Sequence, residues 1–381
     1  MKRIIFFLMI SIALLSCNRK LSEGNSTQMP HTVEITGFDD ENTVPISSLI
    51  SGFRGVQLES TPKCMLSGVQ KIEVIDSLIL VSDMNKVAAF TRDGKFSHTY
   101  GQSGNAENEY LALGTFMQTP TGEIALIDTA TGKILFFTLS GKFISSKKFS
   151  DNSFSRVQDG CYVDKDKLFL SLSVYNNQNS VYGYFDMEDG SFTDIANVYM
   201  QTDNVMQYIG KHPYCKFGDD IHWVMPFSPV ISSLNPDGNT YEFKTSKKIW
   251  GKTELEQVKD FSIMTYAKAM EEGVFMGFTD IFETENYLWL PCTNLYCTVV
   301  DKASNTCKNI SIQNSISCTE FPLFSIATIS NNQLICAFPM TTLLSGFTIG
   351  ETADKNLLKL KELLSNVDNN GNPILLFYEL K

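Results

Sequence analysis

Four glycines set the frame of this chain. Gly94, Gly141, Gly190 and Gly238 are spaced 47, 49 and 48 residues apart, and three of them follow an aspartate. The first two open matching triplets, Gly94-Lys95-Phe96 and Gly141-Lys142-Phe143. Each sits between two short runs that alternate apolar and polar residues. Tight hairpin turns favour glycine because they need positive φ. A repeat of roughly 40–50 residues carrying four short strands marks one blade of a β-propeller.

The strands can be placed on that frame. The first unit reads Ile72–Ile75, Leu78–Asp83, Lys86–Thr91 and Lys95–Gly101. The second reads Leu113–Thr119, Glu123–Asp128, Lys133–Thr138 and Lys142–Phe149. A third contains Leu168–Ser173, Val181–Asp186 and Ser191–Val198. A fourth contains Asp220–Phe227, Val230–Asn235 and Asn239–Lys244. A fifth runs from Val274 to Ile312 around Tyr287–Pro291 and Tyr296–Asp301, and a sixth begins at Phe324–Ile329 and Gln333–Phe338. Ala353–Val367 carries Leu357, Leu360, Leu364 and Val367 at helical spacing, so one amphipathic helix interrupts the sixth unit. Pro373–Leu380 then reads as its third strand. Its outermost strand is missing, and Gly55–Glu59 is left over before the first unit. The fold expected is all-β: a six-bladed propeller closed by strands from both termini, with one short helical insertion near the C-terminus.

The beginning of the chain is a different object. Met1-Lys2-Arg3 is basic, and Ile4–Leu15 is an apolar run of 12 residues, the length of a signal peptide and too short to span a bilayer. It ends in Leu14-Leu15-Ser16-Cys17, which resembles a bacterial lipobox and implies lipidation of Cys17. The expected domains are a signal peptide over 1–17, a polar tether over 18–52 and the propeller over 53–381.

The formal net charge of −11 argues against a nucleic-acid partner, because phosphate contacts need clustered Lys and Arg. Lys147-Lys148 and Lys247-Lys248 are the only dense basic spots and fall on outer strands. Of nine cysteines, Cys292 and Cys297 flank a short connection and could meet across a hairpin in an oxidising compartment.

The signal peptide with its lipobox, Val56–Ser60 (VQLES), the first unit's DGKF and the closing Asn372–Lys381 (NPILLFYELK) together resemble a family of six-bladed β-propeller lipoproteins found in gut bacteria. In architecture that family is similar to NHL and SMP-30-like propellers. The resemblance spans roughly Phe53–Lys381 and implies fold and location more than activity. Members typically carry a loop near GxxGxGPGEY after the first blade. Here Gly101, Gly104, Glu109 and Tyr110 match, whereas Ala106-Glu107-Asn108 replaces the GPG core.

No nucleophile elbow, zinc-protease helix or phosphate loop is present. Four histidines exist, His31, His98, His212 and His222. His212, Cys215 and His222 are loosely spaced with no partner carboxylate implied, so no metal and no cofactor are expected. Asp83, Asp128, Glu109 and Tyr208 could form a carboxylate–tyrosine set of the kind that glycan-active propellers gather at the channel mouth. Topology gathers Asp83–Asn85, Asp128–Gly132, Tyr175–Asn179, Pro226–Pro229 and Thr293–Leu295 on one face with Gly101–Tyr110, opposite the Asp-Gly turns. That face is irregular and aromatic in sequence, which suits recognition.

These readings converge on a monomeric, non-catalytic binding or interaction module, lipid-anchored through Cys17 to the outer membrane of a bacterial envelope, on the periplasmic side. Its partner would be a protein or a glycan, engaged near Gly101, Gly104, Glu109, Tyr110, Asp83 and Asp128. A glycan-active or other small-substrate hydrolase or lyase is the alternative.

Overall fold

The computed structural model describes residues 31–39, 43–149, 152–174, 178–199, 210–258, 263–292, 296–311, 323, 326–338, 355–368 and 370–381. Six sheets form a ring of blades. Blade 1 is β3 (Lys71–Ile75), β4 (Leu78–Ser82), β5 (Val87–Thr91) and β6 (Phe96–Tyr100), from the channel outwards. Blade 2 is β7 (Leu113–Gln118), β8 (Ile124–Asp128), β9 (Lys133–Phe137) and β10 (Phe143–Lys148). Blade 3 is β11 (Val157–Tyr162), β12 (Lys167–Leu172), β13 (Ser180–Asp186) and β14 (Phe192–Asn197). Blade 4 is β15 (Tyr214–Phe217), β16 (Asp220–Val224), β17 (Val230–Ser233) and β18 (Asn239–Phe243). Blade 5 is β19 (Phe282–Glu283), β20 (Tyr287–Cys292), β21 (Tyr296–Asp301) and β22 (Thr306–Ser311).

Blade 6 is closed as the sequence implies. β23 (Ile326–Ser330) and β24 (Gln333–Phe338) are followed by C-terminal β25 (Ile374–Leu380), and N-terminal β2 (Ile50–Gln57) lies outermost. β2 pairs antiparallel with β25 from Ile50↔Leu380 to Gln57↔Ile374. The helix of the sixth unit, Lys355–Ser365, packs Leu357 and Leu360 into the same core as Ile374, Leu376 and Tyr378. Leu363 covers the bare backbone of Gly55, where any Cβ would meet its side chain.

The turn glycines do more than bend the chain. At Gly94, Gly141 and Gly190, φ is 87°, 83° and 76°. The same turns abut the preceding blade. A Cβ at Gly94 would lie 2.4 Å from the Gln57 carbonyl oxygen, one at Gly141 2.4 Å from the His98 ring, and one at Gly190 3.2 Å from Phe149. The joint between blades 6 and 1 therefore repeats the contact made at two ordinary joints. Gly238 departs from the expectation. Its φ is not positive; a Cβ there would strike Ser233 Oγ and Asp220 Oδ2, at 2.2 and 2.4 Å.

Two regions differ from the sequence reading. The stretch read as a tether becomes part of the propeller at His31. β1 (His31–Ile35) adds a fifth, parallel strand to blade 4, pairing His31↔Asn239 through Ile35↔Phe243. Val33, Ile35 and Phe38 enter the core between blades 4 and 5. Beyond β1, Thr36 and Val44 bond to the backbone of Asn305, Cys307 and Asn309 along blade 5. Polar neighbours hide this short alternating strand in the sequence. Second, the helices α1 (Lys252–Glu256) and α2 (Ile263–Glu271) lie between blades 4 and 5 and were not foreseen. Gly251 and Gly273 bracket them: Glu254 accepts the Gly251 N–H, and Gly273 takes φ 67°. The helix at Lys355–Ser365 is α3.

Register settles the cysteine question too. Cys292 lies opposite Tyr296, and Cys297 lies opposite Pro291, so the two thiols point to opposite sheet faces. Among the described residues, no helix is long and apolar enough to cross a membrane.

Candidate functional site at the channel mouth

The innermost strands surround a central channel. On the face bearing the blade-to-blade loops, blades 1–4 enclose a mouth cavity of about 480 Å³. Gln70, Ser82, Thr115, Thr129, Gln158 and Ser171 supply neutral hydrogen-bonding groups there. Met84, 72% exposed, stands over it from the turn after β4, and Lys211 closes the side next to blade 4. Among the described residues, no aromatic side chain lines it; Tyr175 of the aromatic face expected lies outside them. Two aromatic groups of these connections turn inward: Tyr110 is buried, and Phe227 stacks on Trp250 at 5.3 Å.

Lys71 forms the floor. Its ammonium donates to Asp159 at 2.7 Å, the Phe116 carbonyl at 2.8 Å and the Gly160 carbonyl at 3.4 Å, and it pairs with Glu73 at 3.0 Å. Asp159 also accepts from Thr115 Oγ1 at 2.8 Å and from the Gly160 N–H at 2.8 Å. Burial alone would lower the Lys71 pKa, but the two carboxylates raise it well above the ordinary lysine value. Lys71 is a locked cation, unsuited to giving or taking protons near neutral pH. His212, on the channel wall, is driven the other way by burial, towards the neutral form, against the pull of Asp280. Asp280 accepts the His212 backbone N–H at 2.7 Å.

Of the residues singled out in the sequence, Asp83 lines this cavity. Its carboxylate accepts from Ser67 N–H and Oγ and from the N–H groups of Asn85 and Lys86. Asp128 holds the equivalent place in blade 2. It accepts from Leu111, Ala112 and Ala130 N–H and, at 2.6 Å, from Thr131 Oγ1. Gly101, Gly104, Glu109 and Tyr110 belong to the loop framework beside the mouth. Glu109 accepts the Ala106 N–H at 2.8 Å and Gln102 Nε2 at 2.6 Å, and these bonds lower its pKa. Tyr110 donates to the Asn85 carbonyl at 2.8 Å, and burial pushes its phenol up to about 12. A Cβ on Gly101 would press on Asn108 O and Phe137, and one on Gly104 on the Glu109 carboxylate. Tyr208 and Cys17 lie outside the described residues.

Asp128 yields a pH prediction. Burial would raise its pKa, but Thr131 and the three backbone donors win and hold it below the ordinary value. A depressed carboxylate contributes stability above its unfolded pKa and loses it as pH falls through the folded one. Asp128→Asn, which turns an amide NH₂ towards those donors, should cost about 1–3 kcal/mol at neutral pH. Urea unfolding across pH should show that gap closing below the ordinary aspartate range. A gap independent of pH would contradict the assignment.

Sequence spacing missed a second cluster. Cys215 on β15 and His222 on β16 meet Glu283 of β19, in the next blade. His222 Nδ1 is 2.6 Å from Glu283 Oε2, and Cys215 Sγ is 3.8 Å from that oxygen. Lys302 donates to Glu283 Oε1 at 2.9 Å. Glu283 sits on a two-residue strand without a repeat signature, so only its hydrogen-bonding position reveals it.

This ring, with its polar mouth on the loop face, defines an all-β six-bladed propeller. The family described as "Domain of unknown function (DUF4934)" matches residues 30–379, and the chain belongs to it. No curated protein matches the chain. Among solved structures, a Bacteroides fragilis NCTC 9343 protein thought to be exported is similar, with a TM-score of 0.70 and 18% identity, over 92% of this chain and 99% of that one. A DUF4221 family member from Bacteroides vulgatus gives 0.49 at 9% identity, covering 87% and 97%. Virginiamycin B lyase from Staphylococcus aureus gives 0.39 at 14% identity, covering 68% and 74%.

Proposed function

We propose that this propeller is a lipid-anchored, non-catalytic binding module of the bacterial envelope, taking a polar ligand or a partner's polar segment at the channel mouth. The observation that carries this reading is the mouth itself. It is roomy and lined by neutral donors and acceptors; of its charged groups, Lys71, Asp83 and Asp159 are held by several protein partners each, and the exposed Lys211 donates to the Val69 carbonyl. Such groups orient a ligand and hold a shape; they do not shuttle protons. Export is supported by the apolar N-terminal run ending at Cys17 and by the description of the Bacteroides fragilis relative. β1 supports an orientation. His31 pairs with Asn239, just past the Asp237-Gly238 turn, so the chain arrives from the turn face. A lipid on Cys17, only a short tether away, would leave the mouth pointing away from the membrane.

The test has two arms. Feeding cells a palmitate analogue should label wild type and not Cys17→Ala; equal labelling removes the anchor from the proposal. Envelope pull-downs beside a glycan array should lose the bound partner with Gln158→Trp, which fills the mouth. They should keep it with Asp237→Ser on the opposite face. The reverse pattern would place binding on the turn face.

A further inference from the structure

We infer that Cys215, His222 and Glu283 form a binding site for a soft divalent metal ion of the zinc type, open to the channel. The argument begins with His222, which is buried. Its Nε2 faces the Asn239 carbonyl at 3.1 Å and Asp220 Oδ2 at 3.4 Å, which fixes the proton on that nitrogen. Its Nδ1 then faces a carboxylate oxygen at 2.6 Å. Two acceptors cannot face each other bare: a proton or a metal ion must lie between them. The arrangement around Nε2 is the one that orients metal-binding imidazoles, with the far N–H held by a carbonyl or carboxylate.

The donor set suits zinc. Thiolate, imidazole and carboxylate are its three protein ligands. The three ligand atoms here lie within 4.8 Å of one another. Bonds of about 2.0–2.3 Å in a tetrahedron need edges of about 3.3–3.5 Å. Small side-chain rotations, opening the imidazole–carboxylate distance and drawing the sulfur in, reach that geometry. The remaining carboxylate oxygen stays with Lys302. Binding displaces the thiol proton of Cys215 and the proton held between His222 and Glu283. Cys215 and Glu283 line a channel cavity of about 210 Å³, which supplies an entry path and room for a fourth ligand. The inference does not depend on what the mouth binds.

Titrating the full-length folded protein with Zn²⁺ after chelator treatment should show one equivalent bound. Cys215→Ser, close to isosteric, should lose more than the roughly 10–100-fold that removing a supporting hydrogen bond costs. Co²⁺ should give the wild type a thiolate-to-metal charge-transfer band that Cys215→Ser lacks. Wild type without that band, or Cys215→Ser with wild-type zinc affinity, overturns the assignment. The cobalt spectrum of the wild type decides even if the variant does not fold.

Discussion

A chain ending at Asn372 should lose cooperative unfolding altogether, rather than fray at one blade. β25 is an interior strand, paired to β24 on one side and β2 on the other. Ile374, Leu375, Leu376, Phe377 and Tyr378 are fully buried. At about 1.5–3 kcal/mol per large apolar side chain, their loss is comparable with the roughly 5–15 kcal/mol that separates a native domain from its unfolded state. The damage also spreads. β2 loses its only partner in the sheet, and α3 loses part of the core beneath Leu357 and Leu360. An open solenoid tolerates loss of an end repeat because each unit leans only on its neighbours. In a closed ring both neighbours of the broken blade are exposed. Far-UV circular dichroism with heating is the measurement. A sharp transition near the full-length temperature would show that blade 6 is dispensable.

Replacing Lys71 should have the next largest effect. This one ammonium links β3 of blade 1 to the Phe116 carbonyl of blade 2 and to Asp159 and Gly160 of blade 3. Lys71→Ala leaves the buried carboxylate of Asp159 and the partly exposed one of Glu73 without the ammonium that both contact. Breaking a buried pair from one side costs about 3–5 kcal/mol, mostly through the charge left behind. Lys71→Met with Asp159→Asn removes most of that charge, so the double variant should be less damaged than the sum of the singles predicts. Urea unfolding of the wild type, Lys71→Met, Asp159→Asn and the double variant measures the coupling. A Lys71→Ala cost below about 1 kcal/mol, the level of an exposed ion pair, would mean that water reaches the cluster and screens it.

The sequence made the ring legible because turn chemistry repeats. Gly94, Gly141 and Gly190 need positive φ and a bare backbone face, and both demands leave the same letter at the same interval. Closure was legible because Gly55–Glu59 and Pro373–Leu380 were strands without a unit. β1 was harder: a strand that joins an outer edge in parallel needs no hairpin turn to announce it. The site was least legible. Lys71, Thr115 and Asp159 are spread over 88 residues of sequence and meet only because three inner strands line one channel. His222 and Glu283, separated by 61 residues, meet across a blade joint for the same reason. Asp83 and Asp128 were singled out as binding residues at the mouth, and their carboxylates bond to the turn that follows each strand.

The fifth strand of blade 4 changes how the molecule bears load. A pull on the chain ahead of His31 does not reach the closing strand β2 directly. It first meets five register pairs between β1 and β18, then the bonds of Thr36 and Val44 along blade 5, and only afterwards β2. The first strand to peel is an addition to a sheet that already has four others, so its release keeps those four paired while uncovering the core that Val33, Ile35 and Phe38 fill. The N-terminal strap thus works as a strain relief, letting out slack in steps before tension arrives at the seam on which the whole propeller depends.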